Sequence, residues 1–172
     1  MNIVPLTSPL GSSQASLAPR LRRANAADLP AINAIIEQAI ATWLISPRVL
    51  RLSLPLYRYT EIDLVHLDLV VAESNEILGV SALESAADDN AVLLHGLYVH
   101  PQLQRRGVGR QLLRAAEDIA RLQGRGMRVR SRPESIVFFE TGGYQRLPQV
   151  DLGNDYPWLL WKPLAARDSS AA

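Results

Sequence analysis

The segment Gln104-Arg105-Arg106-Gly107-Val108-Gly109 sets two glycines two residues apart among arginines, directly ahead of an amphipathic helix pattern from Val108 to Leu122. Such spacing lets the backbone turn tightly and bring several N–H groups to bear on one anion, and the helix that follows adds the positive end of its dipole. The chemistry this suits is the gripping of a pyrophosphate without a metal. Upstream lie two titratable side chains, His95 inside the apolar run Val92 to Val99 and Glu84 at the end of the preceding strand pattern. An imidazole that titrates near neutrality or a carboxylate can serve as a general base. The same residues also read as a satisfied core histidine and an exposed strand-edge carboxylate. His100, just before Pro101, reads as a turn residue.

A lone Gly-x-Gly is weak on its own, because tight turns need glycine for steric reasons alone. A dinucleotide fingerprint requires a third glycine where Leu112 stands, and a Walker loop requires Gly-Lys-Ser/Thr, which is absent. Neither describes this turn.

The elements that must position these groups follow from composition and pattern. With 172 residues, 48% of them apolar, the chain is expected to fold as one domain with its own core. Its 18 basic and 17 acidic side chains nearly cancel, which argues against a nucleic-acid or anionic-membrane partner. The absence of cysteine removes disulfides, thiolate nucleophiles and Cys-ligated zinc, and no metal is expected. Residues 1–18 lack the basic start and apolar run of a signal peptide, and no segment is apolar enough to span a bilayer, so a cytoplasmic location is the default. Met1 to Ala18 and Ala165 to Ala172 read as flexible tails around a domain from Pro19 to Leu164.

Within that domain the pattern predicts a short strand at Leu21 to Arg23, then a helix N-capped by Asp28 with Leu29, Ile32, Ile35, Ile36, Ala39 and Ile40 on one face. Pro47 and Pro55 are expected to break the next region into short pieces carrying Trp43, Tyr57 and Tyr59. Leu69 to Ala72 and Ile77 to Leu83 form a hairpin signal, and Ser85 to Asn90 a polar link to the central strand. In the helix after the glycine turn, Val108, Leu112, Ala115, Ile119 and Leu122 make the sheet-facing stripe, with Arg110, Arg114 and Arg121 outward. Met127, Val129 and Ser131 alternate with Arg128, Arg130 and Arg132 in a further strand, Ser135 to Glu140 suggests a short helix ended by Gly142-Gly143, and Tyr156 to Lys162 a last strand. Strict alternation puts His95 on one face with Leu93 and Leu97, and Tyr98 on the opposite face.

Leu97-Tyr98-Val99-His100-Pro101 followed by Gln104-Arg105-Arg106-Gly107-Val108-Gly109 resembles the signature of the GNAT superfamily of acetyl-CoA-dependent N-acetyltransferases. Arg22 and Asp28, Phe138-Phe139-Glu140 with Gly143-Tyr144, and Trp161-Lys162-Pro163-Leu164 are similar to other parts of that family, so the resemblance runs from about Arg20 to Leu164. It implies an α/β (α+β) fold, a mixed and mostly antiparallel sheet of six to seven strands flanked by about four helices. It implies a cofactor site in which Leu97, Tyr98 and Val99 meet the pantetheine arm of acetyl-CoA, and Gln104, Arg105, Arg106, Gly107, Val108, Gly109 and Arg110 meet its phosphates. It further implies transfer of acetyl to the primary amine of a small molecule or peptide, with His95 and then Glu84 as base candidates, and is compatible with a homodimer. Trp43, Tyr57, Tyr59, Glu61 and Asp63 come from the region that borders the acceptor in this family. The chain departs from the pattern at Phe139, where many members carry the tyrosine proposed to protonate the leaving thiolate, at Leu93, where some carry a second histidine, and at Arg132, where asparagine is common. These departures keep open a second reading, a non-catalytic acetyl-CoA-binding regulatory or interaction domain.

Overall fold

The computed structural model describes residues 19–43, 45–85, 91–123, 125–148 and 157–165. The expected tails up to Ala18 and beyond Ala165, most of the polar link after Ser85, and Tyr156 lie outside the described residues. Seven strands form one sheet: β1 (Arg20–Arg23), β2 (Leu67–Glu73), β3 (Ile77–Ser85), β4 (Ala91–Val99), β5 (Gly126–Ser131), β6 (Gln145–Arg146) and β7 (Trp158–Lys162). Their order is β1-β2-β3-β4-β5-β7-β6, and every neighbouring pair is antiparallel except β4 and β5. A parallel pair needs a long crossover, supplied here by the glycine turn and α4 (Val108–Leu122).

Helix α1 (Leu29–Ala41) packs Ile32, Ile35, Ile36 and Ile40 on Val71, Val80 and Ala82 on one sheet face, all as its period requires. Helices α4 and α5 (Ile136–Thr141) cover the other face, with Leu113, Ala116 and Ala120 against Val92, Met127, Val129 and Leu160. Of the expected stripe of α4, Val108 and Leu112 are buried and Ala115 and Ile119 pack beside them, but Leu122 is 81% exposed, and the buried face is wider, taking in Leu113, Ala116 and Ala120. Glu117, a charged residue, lies on that wider face (5% exposed), where Lys162 Nζ reaches its Oε1 at 2.8 Å, Tyr144 Oη donates to it at 3.2 Å and Arg121 pairs with its other oxygen at 3.1 Å. Arg121, expected outward, is thereby held half-buried.

Pro47 does not break structure but begins helix α2 (Pro47–Tyr57), its missing N–H falling where no acceptor is needed, and Pro55 sits inside the last turn. A fifth helix, α3 (Asp63–His66), follows. Asp28 precedes α1 without capping it; its carboxylate instead accepts from the Asn25 amide at 2.8 Å and from Arg22 at 2.7 Å, while Arg22 also meets Glu73 at 2.7 Å. This clasp ties β1, β2 and the start of α1 together, and the Arg22 guanidinium holds the Asp28 and Glu73 carboxyls below their usual range.

Candidate active site

Beyond Val99, the imidazole Nδ1 of His100 accepts from the Gln102 amide at 3.3 Å and shapes the turn, as expected of it. The backbone then enters the left-handed region twice, at Arg105 (φ 60°) and Gly107 (φ 89°). The first α-helical hydrogen bond of α4 runs from the Gln111 amide to the Gly107 carbonyl at 3.1 Å, so the amides of Val108, Gly109 and Arg110 stand ahead of the ladder. Val108 is buried and anchors the helix start, whereas Gln104, Arg105, Arg106 and Gly107 are exposed. A Cβ built on Gly107 would meet nothing within 4 Å, so the polypeptide leaves the space over the bend open. Arg105, Arg106 and Arg110 make no hydrogen bond or ion pair among the described residues. Donors, dipole and free cations thus converge on one exposed bend, which fits a diphosphate.

Strand β4 is open beside it. Its parallel ladder with β5 ends at the rung Leu94↔Val129, while its antiparallel ladder with β3 continues to Gly79↔Val99. From His95 onward β4 is therefore paired on the β3 side alone, and an extended chain could add to the other edge. The β3 ladder shifts register between Ala82↔Gly96 and Leu83↔Leu94, leaving His95 as an extra residue in a β-bulge. The bulge reverses the parity of the strand. Leu97 and Val99 pack on the α4 side, and Tyr98, expected opposite His95, joins the α1 cluster and lines the same cleft as His95. Periodicity could not foresee this, since one inserted residue moves every later side chain to the other face.

The cleft, about 200 Å³, lies on the α1 side of the sheet. Leu93, Leu94, His95 and Tyr98 line it from β4, Leu56, Tyr57 and Tyr59 from α2 and the chain after it, and Arg130 from β5. His95 is exposed rather than a core residue, and its Nδ1 lies 3.2 Å from the hydroxyl of Tyr59. Tyr59 is only 4% exposed and its main chain is clamped by Asn33, whose Oδ1 accepts from the Tyr59 amide at 2.9 Å and whose Nδ2 donates to its carbonyl at 2.8 Å. A tyrosine hydroxyl can donate to or accept from Nδ1; in the arrangement where Nδ1–H donates to the Tyr59 oxygen, Nε2 of His95 is free to take a proton. Gly96 is required here, because a Cβ at that position would fall 2.5 Å from Tyr59 Oη and 2.7 Å from Tyr98 Cε2.

The other expected residues are spread more widely. Glu84 pairs with Leu93 across the ladder, exposed and outside the cleft lining. Asp63 accepts from the amide and hydroxyl of Thr60 at 2.6 and 2.7 Å, and neither it nor Glu61 lines the cleft. Trp43 contacts the Tyr57 ring edge-on at 5.5 Å and stacks under the Arg132 guanidinium at 4.4 Å, bracing the outer wall. Phe139 is buried between Phe138 and Tyr144 as packing, and Phe138 lies beside Gly109. Tyr144 is core, as expected, its hydroxyl pushed toward the neutral form first by burial and then by Glu117. The clamp of Asn33 on Tyr59 and the place of Arg130 in the cleft were not expected. No local pattern announces the first, but the Arg128, Arg130, Arg132 alternation had already placed a basic face on β5.

Residues 66–146 match the family model described as "Acetyltransferase (GNAT) domain". Solved structures share the architecture over most of the chain. The PaiA N-acetyltransferase of Thermoplasma acidophilum, in complex with coenzyme A, aligns with TM-score 0.74 at 18% identity over 86% of this chain and 99% of its own. The protein yncA of Salmonella typhimurium, with its cofactor acetyl-CoA, aligns at 0.61 and 23% identity over 90% and 97%. The ribosomal-protein-S18-alanine N-acetyltransferase of Escherichia coli aligns at 0.62 and 16% identity over 89% and 98%. At these identities the likeness to each is one of fold. The family match lies on residues 66–146 within that shared fold, which identifies a GNAT acetyltransferase-like region running from the end of α3 to β6.

Proposed function

We propose that the protein is an N-acetyltransferase that takes acetyl from acetyl-CoA and delivers it by direct attack to a primary amine in the cleft lined by His95 and Tyr59. The observation that carries this reading is one strand with three properties: β4 leads into an open anion turn, leaves its β5-side edge unpaired beyond Leu94, and presents an exposed imidazole in contact with the Tyr59 hydroxyl at that same point. Coenzyme A complexes of PaiA and acetyl-CoA in yncA support the choice of co-substrate. In this arrangement the amides from Arg105 to Arg110, with Gln104 and the neighbouring guanidiniums, hold the diphosphate, and Leu97, Tyr98 and Val99 pair with the pantetheine arm. Acetyl-CoA supplies the activated thioester. No described residues form a metal-binding cluster, and the turn needs none to hold its anion.

An alkyl amine with a pKa of about 10.4 is neutral in only roughly one molecule per thousand at pH 7, so a base is needed. His95 takes that role, oriented by Tyr59; Glu84, on the same sheet face opposite Leu93, is the second candidate. From the ammonium ion two protons leave nitrogen: the first passes through His95 to solvent, and the second, lost as the amide forms, ends on the coenzyme A sulfur. Phe139 donates none, and His95, neutral again after the first step, can carry the second proton from nitrogen to sulfur. Coenzyme A release across an amine panel tests the reading, with His95→Ala lowering kcat by about 100-fold or more if the imidazole is the base. Acetyl-CoA retention with no turnover on any amine would select the non-catalytic reading.

A further inference from the structure

We propose that the acceptor is a free amino acid with an apolar side chain, its carboxylate held by Arg130; this rests on the acetyltransferase reading above. Among the described residues the cleft is lined by apolar and aromatic groups with His95 and one permanent charge, Arg130, and by no carboxylate. On that side of β5 the flanking arginines are engaged. Arg128 lies over the Trp161 ring at 6.0 Å, and Arg132 stacks on Trp43 at 4.4 Å with Glu134 at 3.4 Å from its Nε. Arg130, between them, is exposed and makes no hydrogen bond, ion pair or ring contact among the described residues. An unpaired guanidinium at the mouth of an apolar cleft is a fork for a carboxylate.

Position sets the spacing. The last parallel rung is Leu94↔Val129, and the next residue on each strand is the bulged His95 and Arg130, which pairs with Leu159 of β7 but has no rung to β4. Neighbouring strands lie about 4.8 Å apart, so these side chains leave the sheet close together and separate only as the strands diverge. A nitrogen presented to His95 and a carboxylate presented to Arg130 must then be joined by few bonds, as in an α-amino acid. A peptide N-terminus carries its carboxylate too far away, and a polyamine brings a second cation to a cleft that already holds one. Leu56, Tyr57 and Leu93 offer the apolar walls for the side chain.

The test uses the full chain and three matched pairs, phenylalanine with phenethylamine, leucine with isopentylamine, and methionine with 3-methylthiopropylamine, with phenylalaninamide as a mimic of a peptide end. The ratio of kcat/KM for acid over amine is measured in the wild type, in Arg130→Gln and in Arg130→Lys. The expected ratio in at least one pair is roughly 10- to 100-fold, the contribution of a charge-assisted hydrogen bond to a carboxylate. It falls to near one in Arg130→Gln and is partly kept in Arg130→Lys. A wild-type ratio near one, or one untouched by Arg130→Gln, overturns the proposal. If no amine is acetylated at all, the transferase reading fails by itself. The Arg130 site is then decided by titrating N-acetylphenylalanine and N-acetylphenethylamine into protein saturated with coenzyme A: selective binding of the acid, lost in Arg130→Gln, sustains it, and equal binding overturns it.

Discussion

Adding one methyl group at Gly96 tests whether the cleft wall is as closely set as the geometry shows. The new Cβ would stand 2.5 Å from Tyr59 Oη and 2.7 Å from Tyr98 Cε2, and restoring a contact of about 3.4 Å requires the two rings to give about 0.9 and 0.7 Å. Neither ring can do so freely. Tyr59 is 4% exposed with its main chain held at both ends by Asn33, and Tyr98 is 9% exposed inside the α1 cluster. Overpacking of this kind costs about 1–3 kcal/mol. A shift of the Tyr59 hydroxyl away from the methyl also disturbs its 3.2 Å contact with His95.

Urea unfolding of Gly96→Ala should show the midpoint falling by about 1 M at unchanged slope, taking a slope of about 1–3 kcal/mol per M. Amine acetylation should fall further than stability accounts for at temperatures where the variant is folded. The double variant Gly96→Ala/Tyr59→Phe supplies the decisive arm. Removing the hydroxyl deletes the closer of the two clashes, so the cost of the alanine should shrink by about 1 kcal/mol in the phenylalanine background. An alanine variant as stable and active as the parent, or a cycle with zero coupling, would refute the assignment of Gly96, Tyr59 and His95 to one packed wall.

Tyr59→Phe alone should lower kcat about tenfold, less than His95→Ala, because it removes the hydroxyl that holds the imidazole rather than the imidazole; equal losses, or none, contradict that order. Gly107→Ala, at φ 89° with open space around it, should cost about 1–2 kcal/mol of backbone strain and weaken coenzyme A binding in calorimetry by about tenfold; unchanged affinity would mean that the turn is not the grip. Glu117→Ala strips Lys162, Arg121 and Tyr144 of a shared buried acceptor and should destabilise the fold by about 3 kcal/mol, read by denaturant titration. The Arg22 clasp gives an acid limb to stability. Asp28 and Glu73 have folded pKa values below their unfolded values near 3.9 and 4.3, so their contribution is complete above about pH 5 and is lost as pH falls through the depressed folded values. Asp28→Asn should flatten that limb in acid titrations followed by circular dichroism.

Much of the scaffold was legible because it rests on local pattern: the isoleucine face of α1, the β2–β3 hairpin, the alternation of β5 and the glycine turn all stand where their periods and turn residues put them. The failures share a cause in interactions between residues distant in sequence. The pattern places Glu117 among polar positions of α4, but Lys162, 45 residues away, pairs with that carboxylate and lets it lie on the buried face. Asp28 has the residue type and position of an N-cap, yet a guanidinium six residues earlier outcompetes the helix amides for it. Pro55 breaks helices in general, but within the last turn before Tyr57 the helix is ending and little is lost. At the candidate site, the turn and His95 could be read from the chain. The partner of His95 could not, since Tyr59 lies 36 residues away and its place depends on Asn33.

The bulge at His95 explains why the open edge and the titratable group coincide. Had β4 kept strict alternation, Gly96 and Tyr98 would face α4, and the close approach of Tyr59 would meet a different set of side chains. One extra residue lets Val92 and Leu94 pack beneath α4 before the bulge and Leu97 and Val99 after it, so the core on that side is continuous. On the α1 side the same insertion brings His95, a glycine without a side chain and Tyr98 together, clearing the room that Tyr59 fills. Extra twist at a bulge also turns β4 away from β5, and the parallel ladder ends at the rung just before it. The separation of the strands and the placement of the imidazole are therefore one structural event, and a change that removes the bulge should close the edge and misplace His95 together.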